Sequence, residues 1–139
     1  MSFREKIHWA TIIITVVTFG WYFAAYPWSQ VGGPSGMWAG RWMIIVVSII
    51  SGLSLAVVAA VLALRNPGEA HQRADERDRT LHWRGTYAAY YTLIVGIWLC
   101  ILLGFYGYGA EVMTNALLAC FVVAELIRMG RQLQLYRRG

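Results

Sequence analysis

From Gly85 to Ala110 the chain runs for 26 residues without a charged side chain. Trp42 to Leu64 adds an uncharged run of 23 residues, and Trp9 to Tyr26 one of 18. At about 1.5 Å rise per residue, each run can cross a hydrocarbon layer roughly 30 Å thick as a helix. A surface helix of a water-soluble domain keeps one face with charged side chains, and these runs have none. Composition agrees. Of 139 residues, 58% are hydrophobic and 14% charged, where a soluble domain carries about 25% charge. That balance excludes a soluble enzyme, a disordered tail and a disulfide-stapled secreted module.

The fourth run is shorter. Val112 to Ala124 is 13 uncharged residues, and Glu125 then interrupts before Leu126 and Ile127. Alone, such a run suits a re-entrant segment. Accepting Glu125 near one end restores a span. The expected spans are about 9–26, 42–64, 85–106 and 110–129. The expected fold is an all-α integral membrane protein, residues 1–139 forming one up-down bundle of four transmembrane helices. Pro67-Gly68 breaks the chain after span two. Glu69 to Arg84 has no breaker, so this part of the 65–84 segment reads as a helical extension running into span three.

Arginine and lysine set the direction. With four spans, eleven of the twelve basic residues fall on the face that bears both termini and segment 65–84, and Arg41 alone falls on the other. The positive-inside rule then places both termini and the middle segment in the cytoplasm, and the expected location is a bacterial inner membrane. The same distribution accounts for the net charge of +5 with no nucleic-acid partner. Trp21, Tyr22, Tyr26, Trp28, Trp38 and Trp42 cluster at the outer ends of spans one and two, as rings with one wet edge do at headgroup depth. The first span is too long, and too bulky at Trp21-Tyr22-Phe23, for a cleaved signal peptide.

Helices in lipid associate through small residues and polar contacts. Ser48, Gly52, Ala56, Ala59 and Ala63 form a small-residue seam on span two, through which a homodimer is also reasonable. Thr11, Thr15, Thr18 and Tyr22 share a face of span one, where threonines can bond back to carbonyls one turn earlier. Trp83, Tyr87, Tyr90, Tyr91, Ile94 and Trp98 share a side of span three, read chiefly as a packing face. Cys100 and Cys120 form no C-x-x-C pair and read as small buried apolar residues.

Glu125 is the only carboxylate well inside an expected span, and an ionisable group there is a functional candidate by default. Arg128, three residues on, is its local partner; together they read as an ion pair or as part of a ligand site. Asn115 reads as an interhelical hydrogen-bonding residue. On the 69–84 helix, His71, Asp75, Asp78 and His82 form one stripe and Arg73, Arg77 and Arg84 another. The basic stripe suits lipid phosphates. The acid–histidine stripe spans roughly 16 Å, too long for one metal ion, and reads as a solvated face. No catalytic motif, metal set or cofactor site is expected.

Asp75-Glu76-Arg77-Asp78, followed by Arg84-Gly85 at the head of an apolar helix, resembles the D-E-R-[DE] signature of small bacterial inner-membrane proteins with four spans, a domain of unknown function. Asn115, Ala124-Glu125-Leu126 and the ending Tyr136-Arg137-Arg138-Gly139 look like later landmarks of such proteins, so the resemblance covers roughly residues 65–139. It implies a membrane-bound accessory or sensory role, and points to Asp75, Glu76, Arg77, Asp78, Arg84, Asn115 and Glu125. The leading functional expectation is a non-enzymatic accessory protein that docks a cytoplasmic protein partner through the 69–84 helix. The alternative is a lipid-binding protein, or an enzyme on a phosphate-bearing lipid, with Glu125 as acid/base or anchor and Arg128, Arg84 and Arg77 holding the phosphate. A small proton-coupled transporter is the third reading, disfavoured because spans one to three hold no acidic residue.

Overall fold

The computed structural model describes residues 3–65 and 76–138. They form four long helices: α1 (Phe3–Ala25), α2 (Pro34–Arg65), α3 (Glu76–Phe105) and α4 (Ala110–Arg138), with a short 3-10 turn at Trp28–Gln30. All four are long and apolar enough to cross a membrane, over Glu5–Ala25, Trp38–Arg65, His82–Phe105 and Ala110–Tyr136. The fold is all-α, and no strand occurs among the described residues. The fourth span exceeds the sequence expectation. Arg128, Arg131, Gln132 and Gln134 are good helix formers, so nothing after Glu125 ends the helix before Arg138. Glu125 therefore sits eleven residues from Tyr136, the end of that span, which is about 16 Å along the axis.

The surface is that of a protein immersed in hydrocarbon. Leu53, Leu64, Trp98, Leu102 and Phe105 are all exposed, Phe105 by 85%. Soluble monomers rarely leave large apolar side chains open on this scale. The core is small: Phe19, Tyr22, Tyr26, Val47 and Val122 make one cluster, where α1 meets α2 and α4.

The helices lie side by side in the order α2, α1, α4, α3, with α3 against α4 the most extensive pairing. Neighbours run antiparallel. His8 Nδ1 lies 3.1 Å from Met129 Sδ, and Tyr22 donates a 2.7 Å hydrogen bond to Asn115 Oδ1. Both contacts put α1 residue i beside α4 residue 137 − i, and both chain ends at one end of the bundle. Two glycine turns make the reversals. Gly32 (φ 90°) precedes α2, and Gly107 (φ 80°) ends α3. Gly107 N–H donates to the Gly104 carbonyl and Tyr108 N–H to the Leu103 carbonyl, the paired bonds of a Schellman cap.

The seam that joins α3 to α4 differs from the seam read in the sequence. A Cβ on Gly85 would lie 2.7 Å from Gln132 Cγ, one on Gly96 would lie 2.7 Å from Cys120 Cβ and Sγ, and one on Gly104 would lie 3.1 Å from Met113 Cε. These glycines let the two backbones approach. Cys100 and Cys120 meet across the same seam, sulfur to sulfur at 3.9 Å. By contrast, Gly52 has nothing within 4 Å, and Ser48, Ala56 and Ala59 are exposed. α2 instead turns Val47 and Ser51 inward. The aromatic stripe of α3 faces outward, with Trp83, Tyr87, Tyr90, Tyr91 and Trp98 all exposed. Bulky rings cannot occupy an interface that glycines must line, so they take the lipid side.

Candidate functional site

Because α1 stands between α2 and α4, the outer two are held apart on one side of it. A groove of about 500 Å³ opens there, floored by Thr11, Thr15 and Phe19 of α1 and walled by Ser51, Gly52 and Leu55 of α2 and by Phe121, Val122, Glu125 and Arg128 of α4. It occupies the half of the bundle nearer the chain ends.

Glu125 and Arg128 form an ion pair in that wall. Arg128 donates through Nη2 at 2.7 Å and through Nε at 3.1 Å, both to Glu125 Oε2. The i,i+3 spacing puts both on one face, and their side chains keep 32% and 25% exposure. The pair neutralises a carboxylate that would be costly alone in hydrocarbon. It also leaves Nη1 of the guanidinium outside the pair, and guanidinium favours planar oxyanions.

Deeper in the groove are two hydroxyls. Ser51 and Thr15 are buried, at 7% and 9% exposure, and among the described residues neither side chain makes a hydrogen bond. Thr11 and Thr18, on the same helix, follow the usual habit and donate to the Ile7 and Ile14 carbonyls. Thr15 stands level with Val122, six residues from Arg128, so its hydroxyl lies about 9 Å nearer the middle of the bundle. The groove thus offers a cation near its mouth, hydroxyl donors below it, and apolar walls throughout.

Asn115 does the interhelical work expected of it. It is 4% exposed, accepts from Tyr22, and donates through Nδ2 to the Glu111 carbonyl at 2.9 Å. Arg84 is exposed on α3 and does not line the groove. The phosphate clamp of Arg128 with Arg84 is therefore not brought together. The tyrosines of α3 do not reach Glu125 either, since they point outward. Asp75 lies outside the described residues, as do His71, Arg73 and the side chains of Glu76, Arg77 and Asp78. His82, from the acid–histidine stripe, instead lies 3.2 Å through Nδ1 from the buried Gln132 Nε2. Among the described residues no group of three metal-ligating side chains forms. Thr15, Ser51 and Gln132 were not singled out for this role in the sequence. Ser51 sits one helical turn from the Val47 that α2 buries, a relation visible only once the packed face is known.

A scan against protein-family models finds no match, and neither does comparison with curated proteins or with solved structures.

Proposed function

We propose that this chain is a phospholipid-binding protein of a bacterial inner membrane, with both termini cytoplasmic, and that the groove between α1, α2 and α4 holds one lipid. The observation that carries the proposal is an apolar groove with an arginine at its mouth and two groove-lining hydroxyls, Thr15 and Ser51, beneath it. Each feature matches one part of a diacyl phosphate. The phosphate accepts hydrogen bonds from Arg128. The ester carbonyls accept from Thr15 and Ser51, whose hydroxyls line the groove and are spare donors there. Acyl chains lie along Phe19, Leu55, Phe121 and Val122. The asymmetry of eleven basic residues against one supports the cytoplasmic placement of the termini.

Native mass spectrometry of the protein released from mild detergent tests this reading. The wild type is expected to retain one phospholipid, and Arg128→Gln to retain about tenfold less, the worth of one charge-assisted hydrogen bond. Equal retention by both proteins would contradict the assignment. Docking of a cytoplasmic partner remains a proposal for the segment before span three, where Asp75 lies outside the described residues.

A further inference from the structure

A second cavity, independent of the groove, opens at the opposite end of the bundle. It measures about 440 Å³, within the range of small-ligand sites, and lies between the Gly32 turn, the start of α2 and the start of α4. Arg41 and Glu111 both line it, so its walls carry one charge of each sign. Tyr26 lines it too. That residue is 6% exposed, yet among the described residues its hydroxyl has no hydrogen-bond partner. The ring is fixed: it packs on Trp28 at 4.6 Å and over Gly40, where a Cβ would meet its oxygen at 2.6 Å. Glu111 is fixed as well, its Oε2 accepting from Gly32 N–H at 2.8 Å.

We infer that this cavity binds a zwitterion that carries a primary ammonium and a phosphate: an aminoethyl phosphate, borne as a lipid headgroup or free. The ammonium is held by the Glu111 carboxylate, whose Oε1 is buried without a hydrogen-bond partner. The phosphate is held by Arg41 and by the Tyr26 hydroxyl, which donates to it. A purely anionic ligand would face Glu111, and a purely cationic one would face Arg41. A quaternary ammonium has no N–H to give the carboxylate, so the site discriminates amine from choline. Trp28, Trp38 and Trp42, all exposed at this end, sit as rings do at headgroup depth, which brings such groups to the cavity.

The test titrates delipidated protein in detergent with dioleoyl phosphatidylethanolamine, dioleoyl phosphatidylcholine and, separately, free phosphoethanolamine, counting bound molecules by native mass spectrometry. The ethanolamine lipid is expected to bind about tenfold more tightly than the choline lipid. Glu111→Gln keeps an acceptor for Gly32 N–H, so the turn survives, and the preference is expected to fall to about one. Tyr26→Phe keeps the packed ring and is expected to weaken the ethanolamine lipid several-fold, about the worth of one hydrogen bond to a charged group. Free phosphoethanolamine binding at the same strength identifies a soluble ligand; binding of the lipid alone identifies a headgroup site. Arg128→Gln, which weakens lipid retention in the groove, is expected to leave the preference intact. Equal binding of the two lipids by wild type, or a preference that survives Glu111→Gln and Tyr26→Phe, overturns the inference.

Discussion

Gly96→Leu is expected to unpair α3 from α4. The first added atom would already sit 2.7 Å from Cys120 Cβ and Sγ. A Cβ cannot rotate away, so the clash is relieved only by moving one helix. Overpacking a tight interface costs about 1–3 kcal/mol. Here the upper part of that range applies, because separation at Gly96 also opens the close approaches at Gly85 and Gly104. The pairing has a built-in reporter. Cys100 and Cys120 lie sulfur to sulfur at 3.9 Å, so mild copper-phenanthroline oxidation of wild type should consume both thiols within one chain. Maleimide labelling after denaturation should then find neither thiol in wild type and both in Gly96→Leu. Gly20→Leu is the control, since nothing lies within 4 Å of its Cβ position. Full cross-linking in Gly96→Leu would mean that the seam is not where α3 meets α4.

Arg128→Leu is expected to destabilise the protein more than Glu125→Gln does, although the two residues form one pair. Without Arg128, the short carboxylate of Glu125 is left about 16 Å from the end of its span, with no long stem to carry its charge to water. A lone ionised carboxylate at such depth costs on the order of 2–3 kcal/mol on insertion scales. Without the Glu125 charge, Arg128 is three residues nearer the end, and its flexible stem can snorkel outward, so a loss of about 1 kcal/mol or less is expected. Replacing both residues by neutral ones removes the uncompensated charge and should recover most of the loss, as replacing a buried ion pair often does. Thermal unfolding in detergent, with a double-mutant cycle, measures all three. Equal losses for the two single variants would show that the pair faces water.

Most of the architecture was legible in the sequence because hydrocarbon imposes a simple rule. Charge-free runs of 18, 23 and 26 residues have few other folded uses, and the Gly107 turn follows from glycine chemistry between two of them. The ends of α4 were less legible. A single Glu125 looks like a boundary in a hydropathy reading, but helix propensity carries the chain past it. Lateral packing was the least legible. Ser48, Gly52, Ala56 and Ala59 form a regular small-residue stripe, yet α2 meets only α1 closely, and Val47 and Ser51 take that face. The seam actually used has its own pattern, Gly96-x3-Cys100-x3-Gly104, which a reading of the cysteines as isolated residues passes over.

The candidate site divides in the same way. Glu125 and Arg128 stand out because ionisable residues are rare in spans, and their i,i+3 spacing predicts the contact that Arg128 makes to Glu125 Oε2. Asn115 stands out because a polar amide inside a span calls for an interhelical partner. Thr15 and Ser51 do not, since a hydroxyl in a helix ordinarily bonds to its own backbone, as Thr11 and Thr18 do here. Their significance comes from which helix faces them, and that depends on the order α2, α1, α4, α3. Tyr26 was legible only as an interfacial aromatic, and Glu111 was not singled out at all. The chain reversals bring them to one cavity with Arg41.

The central claim is that a lipid lies in the groove walled by α1, α2 and α4. Photo-crosslinking tests it most directly: the protein is reconstituted with a phosphatidylglycerol carrying a diazirine on one acyl chain, irradiated, and mapped by mass spectrometry. Adducts are expected to concentrate on Phe19, Leu55, Phe121 and Val122, and to fall away in Arg128→Gln. Adducts spread evenly over the outward faces at Leu53, Trp98 and Leu102, with none enriched in the groove, would contradict it.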